Sequence, residues 1–126
     1  MEPVFSIAEI SERSGLSYDT IRYYVKIGLL PPTKRKENGQ REYGTVHLER
    51  LNFITRIKRT GMPLREIKRY MSLATAKNYE SCYDVLYKHK HEIESQMVEI
   101  KATLELVNYK LEHFKDLMKK ASLGGE

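Results

Sequence analysis

The sequence predicts a mainly α-helical protein: a small winged helix-turn-helix head followed by one long helix that needs a partner chain. Three observations predict it. Late in the chain, apolar residues recur at alternating gaps of four and three; two short capped helix patterns joined by a glycine turn open the chain; and an Asn-Gly pair sits between basic segments able to extend. The 126 residues leave room for one small core, and a hydrophobic content of 40 % argues against a disordered chain. The expected division is a winged helix-turn-helix domain over 1–73, a connector over 74–83, a dimerisation helix over 84–120 and a tail over 121–126.

The seam runs through Ile93, Met97, Ile100, Leu104, Val107, Leu111, Phe114 and Met118, which is the a/d repeat of a coiled coil. Leu86 continues the register seven residues earlier, and Lys90 is the one charged residue in it. Val98, Leu106 and Leu117 are the apolar exceptions on otherwise polar faces. A helix from about Cys82 to Lys120 is roughly 58 Å long at ~1.5 Å per residue, longer than a small domain is wide. No second heptad run exists to pair with it inside the chain, so the seam predicts a homodimer.

In the head, Ser6 and Glu9 have the spacing of a capping box, with Phe5 and Ile10 placed as a hydrophobic staple. Gly15 ends this first helix, and Ser17 caps a second that runs from Tyr18 to Ile27 and closes at Gly28. Ile21, Tyr24 and Val25 form its apolar stripe; Tyr18, Asp19, Arg22, Tyr23 and Lys26 face the other way. Such a face suits the major groove of DNA, with a solvated polar surface as the alternative. Pro31 and Pro32 forbid continuation of the helix. Then Lys34, Arg35, Lys36 and Arg41 flank Asn38-Gly39, the strongest short-range hairpin signal, giving a basic wing or else a plain basic loop. A third helix is expected from a cap at Thr45 to about Thr60, burying Leu48, Leu51, Phe53, Ile54 and Ile57. A fourth begins at Met62-Pro63-Leu64 and closes the core with Ile67, Tyr70 and Met71. Arg56, Lys58, Arg59, Arg65, Lys68 and Arg69 lie on or near its outside.

The net charge of +5 is unevenly placed: fourteen Lys/Arg face eight Asp/Glu up to Ser72, against eight and nine beyond it. A basic head on a near-neutral coil is the electrostatic footprint of a nucleic-acid binder. The single cysteine, Cys82, excludes an intrachain disulfide framework and a Cys-rich zinc site. With no signal peptide and no span of membrane length, the cytoplasm is the expected compartment. No Gly-rich phosphate loop, metal triad or nucleophile with an evident base points to an enzyme, and no cofactor is implied. A coiled-coil adaptor, or a basic nucleoid-type DNA-binding protein without an inducer, are the rival readings.

Taken together, these motifs resemble the MerR family of bacterial transcription regulators, named for mercury resistance. The resemblance rests on Ile7-Ala8-Glu9, Ser14-Gly15-Leu16-Ser17, Asp19-Thr20-Ile21-Arg22-Tyr23-Tyr24, Gly28-Leu29-Leu30-Pro31, Gly39-Gln40-Arg41-Glu42-Tyr43, Leu51-Asn52-Phe53-Ile54 and Gly61-Met62-Pro63-Leu64-Arg65-Glu66-Ile67, in family order. It implies a short family form without an extended effector domain. The expected architecture is a winged-helix dimer joined through an antiparallel coiled coil, each head reading half of a palindromic promoter site. It also implies activation by bending and untwisting an over-long promoter spacer, so that RNA polymerase is engaged indirectly at the promoter. Carried over by residue, Ser17, Tyr18, Thr20 and Arg22 face the groove. Tyr23, Tyr24, Lys34, Arg35, Arg41, Tyr43 and Lys58 hold phosphates.

The chain departs from the family pattern at Val25, where Glu is common, and at Pro63, where many members have Ser. Relatives sense metals, oxidants, electrophiles or drugs, so a small-molecule or electrophile inducer is implied. The metal sensors' downstream cysteine pair is absent, His89 and His91 point to different helix faces, and His113 stands apart, so no metal site is expected. The position matching the electrophile-sensing cysteine of some small relatives holds Arg56. Cys82, near the start of the dimer helix, is the candidate sensor, since a thiol there can have a lowered pKa; an ordinary half-buried cysteine is the alternative.

Overall fold

The computed structural model describes residues 3–124, so part of the expected tail, 125 and 126, lies outside the described residues. The elements in chain order are β1 (Val4–Phe5), α1 (Ile7–Ser14), α2 (Tyr18–Lys26), β2 (Lys34–Arg35), β3 (Arg41–Gly44), α3 (Thr45–Arg59), α4 (Leu64–Thr75) and α5 (Tyr79–Leu123). The chain divides into one unit ending at Val85 and a second beginning at Leu86.

Local chemistry sets the first two helices. Ser6 Oγ accepts from the Glu9 amide at 3.1 Å while the Glu9 carboxylate accepts from the Ser6 amide at 3.0 Å, closing the capping box. That Ser6 amide, and then the Ser6 hydroxyl, hold the Glu9 carboxyl below its ordinary pKa, with Arg13 and Lys36 adding to the effect. Phe5 and Ile10 are both buried, as a staple requires. Gly15, with φ of 76°, ends α1 in the left-handed region that glycine enters without a Cβ penalty.

The sheet has the order β1-β3-β2, both pairings antiparallel. β1 is an addition to the sequence reading: Val4 pairs Gly44 and Phe5 pairs Tyr43 across nearly forty residues, a contact no local pattern announces. The wing hairpin forms around Asn38-Gly39, as the sequence predicts. Lys36 and Gln40 face each other through a hydrogen bond from the Lys36 amide to the Gln40 carbonyl, Gly39 donates to the Lys36 carbonyl, and Gly39 has φ of 84°. Asn38 has no positive φ, so this is a three-residue loop with glycine in the left-handed position.

The core of the first unit is built around Ile10, Ile21, Leu29, Tyr43, Leu51, Ile54 and Ile67, with Phe53, Ile57, Leu64 and Tyr70 partly buried at its margin. Gly44, not Thr45, is the cap of α3. α4 runs on to Thr75 and α5 already begins at Tyr79, so only residues 76–78 lie between them, a much shorter link than 74–83. α5 is one continuous helix of 45 residues. Within the second unit, the seam residues from Met97 to Met118 are between 47 % and 66 % exposed, while Leu86 and Ile93 are half-buried. Among the described residues, no helix is long and apolar enough to cross a membrane.

Candidate nucleic-acid interface

The recognition face begins with the Ser17 cap of α2. Its Oγ accepts from the Thr20 amide at 3.1 Å and donates to Thr20 Oγ1 at 2.9 Å, so the two hydroxyls form one polar unit at the helix start. Tyr18 and Tyr23 are exposed. The Arg22 guanidinium lies 5.7 Å from the Tyr18 ring centroid and 3.8 Å from the Asp19 carboxylate. Both contacts are solvent-facing and weak, so they orient Arg22 without locking it, and a base edge or phosphate can displace them.

The wing brings Arg35 and Arg41 to the same side. Arg35 donates to the Gly39 carbonyl at 3.3 Å and Arg41 to Thr33 Oγ1 at 3.0 Å, which ties two long side chains to their own hairpin. Arg22 of α2 and Arg35, Gln40 and Arg41 of the wing line one groove of about 420 Å³ with Ser6, Ile7 and Ala8 at the start of α1. Three guanidinium groups thus meet at the start of α1, where the Glu9 carboxylate of the capping box already answers the helix's positive end. Lys34 is exposed on β2 and Lys58 on α3.

Two residues expected to contact phosphate are core residues instead. Tyr24 is 4 % exposed and Tyr43 fully buried. Burial raises the Tyr43 phenol above its ordinary pKa, against the opposing charges of Arg41 and Arg22, and its hydroxyl has no hydrogen-bond partner among the described residues. Both tyrosines are amphipathic, and in this head their rings are worth more inside than out. A second, shallower groove, of about 600 Å³, lies between α1 and α3, lined by Ser14, Asn52, Phe53, Thr55, Arg56 and Arg59.

Cys82, in the first turn of α5, is 8 % exposed, which restricts access to oxidants and electrophiles. His89 is buried, with Nδ1 3.2 Å from Glu92; His91 is exposed and 3.6 Å from Glu94. No group of three or more metal-ligating side chains occurs among the described residues.

One residue of the head passes unnoticed in the sequence. His47 accepts a hydrogen bond at Nδ1 from the Gly44 amide at 3.0 Å, and its Nε2 lies 2.9 Å from the Pro31 carbonyl. Its place three residues after the α3 cap, where Glu or Gln closes a capping box, is the signal that could have found it.

A recognition helix and a basic wing on one small core define a winged-helix DNA-binding protein. The chain matches the family described as MerR HTH family regulatory protein over residues 5–74, more than half its length, and the family described as MerR, DNA binding over residues 48–107. It is 35 % identical over 105 residues to the HTH-type transcriptional regulator HmrR of Rhizobium leguminosarum, covering 79 % of this chain and 81 % of that protein. It is 28 % identical to the uncharacterized HTH-type transcriptional regulator YyaN of Bacillus subtilis, over 92 % of this chain and 94 % of that one. Its fold is similar to the crystal structure of HiNmlR, a MerR family regulator lacking the sensor domain, bound to promoter DNA. That likeness has a TM-score of 0.83 and 30 % identity, and covers 98 % of this chain and 92 % of that one. The chain belongs to the MerR family: it is a DNA-binding transcriptional regulator, not an enzyme.

Proposed function

We propose that the protein acts as a homodimer on a palindromic promoter site, each head reading one half-site. One observation carries the reading: Arg22 of the recognition helix and Arg35 and Arg41 of the wing line a single groove, so helix and wing present one basic face. HiNmlR, similar along nearly the whole chain, is bound to promoter DNA. In this reading residues 1–73 form the DNA-binding domain. Ser17, Tyr18, Thr20 and Arg22 face the major groove, and Tyr23, Lys34, Arg35, Arg41 and Lys58 hold phosphates.

The apolar seam from Leu86 to Met118, much of it exposed, is the dimer interface, since so long an apolar stripe on one helix marks an interaction surface. Pairing is antiparallel. Activation proceeds by bending and untwisting the promoter spacer, whose deformation energy the phosphate contacts offset, and RNA polymerase is engaged through the reshaped DNA in the cytoplasm. An inducer acts on this equilibrium; the burial of Cys82 favours a packing role over a sensing one.

Titration of the protein with a duplex from its own upstream region, against a scrambled duplex, tests the reading. Specific binding that falls steeply with salt is expected. Arg22→Ala should cost about 1–3 kcal/mol on the palindrome and little on scrambled DNA if Arg22 meets a base edge. Equal, salt-insensitive binding to both duplexes sinks the reading.

A further inference from the structure

His47 is the third residue of α3 and is 7 % exposed. Its imidazole touches both roots of the wing: the Gly44 amide, where β3 ends, donates to Nδ1, and Nε2 meets the carbonyl of Pro31, three residues before β2 begins. A backbone N–H can only donate and a carbonyl can only accept. Nδ1 therefore carries the lone pair and Nε2 the proton. The Tyr43 ring stands edge-on to the imidazole, 5.6 Å between centroids and 85° between planes, which fixes the ring's orientation.

The Pro31 side of this bridge belongs to the recognition helix. The Leu29 and Leu30 amides both donate to the Tyr24 carbonyl, at 2.9 and 3.3 Å, so the loop leading to Pro31 is bound to the last turn of α2. On the other side, the wing pairs β2 with β3 through only two residues, Lys34 with Glu42 and Arg35 with Arg41. So short a ladder leaves the wing's angle weakly determined. We propose that the neutral Nε2–H imidazole of His47 is a clasp that sets the angle between wing and recognition helix, and so places Lys34, Arg35 and Arg41 for phosphate contact. His47 is a positioning residue: it is buried and touches no DNA itself. The inference rests on the reading of the wing as a DNA-binding element.

The chemistry is specific. A carboxylate at this position could accept from Gly44 but would set an oxygen against the Pro31 carbonyl. Asn keeps the acceptor beside Cγ and ends short of Pro31. Gln offers an acceptor and a donor at the right separation on a longer stem. The order expected is thus His ≈ Gln > Asn ≥ Glu.

The test uses the full chain and a promoter duplex, with binding measured by fluorescence anisotropy from about 50 to 200 mM salt, a range over which phosphate contacts dominate affinity. Thermal melts are run on every variant, and Arg35→Ala is the wing control. His47→Asn should weaken binding roughly 5–10-fold and flatten the slope of log K against log salt by about one for each phosphate that a head no longer reaches. His47→Gln should restore affinity to within about twofold and return the slope. In the wild-type protein, the imidazole ¹⁵N spectrum should show a protonated Nε2 and a bare Nδ1, a readout independent of whether any variant folds. Wild-type affinity and slope in His47→Asn overturn the clasp, as does an Nδ1–H tautomer. So does a loss of affinity that follows the melting temperature at unchanged slope, which marks a merely structural role. If Arg35→Ala keeps full affinity, the wing reading falls and the clasp falls with it; if Arg35→Ala weakens binding and His47→Asn does not, the clasp alone is wrong.

Discussion

Tyr43 shows how a single side chain can be placed well by pattern and still be misassigned. It sits in the Gly39-Gln40-Arg41-Glu42-Tyr43 run that marks the wing, yet its side chain is fully buried and its hydroxyl lacks a partner among the described residues. An unsatisfied buried hydroxyl carries its full desolvation penalty, about 1–3 kcal/mol. Tyr43→Phe removes that group without opening a cavity, so it should stabilise the head by about 1–2 kcal/mol, seen as a higher urea midpoint at unchanged m-value. DNA affinity should stay within about twofold, because a buried ring makes no phosphate contact. A drop in affinity without a drop in stability would return Tyr43 to the interface. By contrast, Ser6, Glu9 and Ser17 are legible from the sequence alone, because a cap bonds an amide three residues away and needs no tertiary information. Tyr24 reads in the sequence both as an apolar-stripe residue and, through the resemblance, as a phosphate contact; the fold keeps only the first.

At the scale of elements, glycine punctuation is readable and its absence is not. α2 ends in a motif where Gly28, with φ of 84°, donates to the Val25 carbonyl and Leu29 donates to that of Tyr24. α4 ends in the same motif two helices later: Lys77 donates to the Ala74 carbonyl and Asn78 to that of Leu73, but the left-handed residue is now Lys77, with φ of 58°. A lysine gives no sequence signal for such a stop, which is why the sequence suggests a longer link between α4 and α5 than residues 76–78. A non-glycine residue in this region costs about 1–2 kcal/mol, offset in part by the larger unfolded-state entropy of glycine. Lys77→Gly should therefore raise stability by roughly 0.5–1 kcal/mol in chemical denaturation, with helix content by circular dichroism unchanged. A fall in stability would mean that the lysine side chain contributes more than its backbone strain costs. β1 is invisible in the sequence for a related reason: two residues pair with a strand far along the chain, and only the fold supplies the partner.

For the whole molecule, the division of charge and the proposed dimer have to be considered together. Net positive charge in the sequence is confined to the part up to Ser72, whereas the apolar seam begins at Leu86. In the proposed dimer, two half-site contacts are joined through the seam, and joining them makes the second contact intramolecular, with a gain in affinity of about 10²–10⁴ when the geometry allows both. The length of the seam then enters DNA recognition directly. Duplicating residues 98–104 adds one heptad, keeps the alternation of four and three at Leu104 and Val107, and lengthens the helix by roughly 10.5 Å at ~1.5 Å per residue. Along B-DNA, at about 34–36 Å per 10–10.5 base pairs, that is about three base pairs and near a third of a turn, enough to put the two heads out of phase with the palindrome. Sedimentation should therefore show an intact dimer, while affinity for the natural site falls by at least about 10²-fold toward that of a single half-site. Leu104→Asp should reach a similar affinity by the opposite route, as a monomer. A heptad-extended dimer that binds the natural site as tightly as the wild type would show that the seam joins the heads without measuring the distance between them.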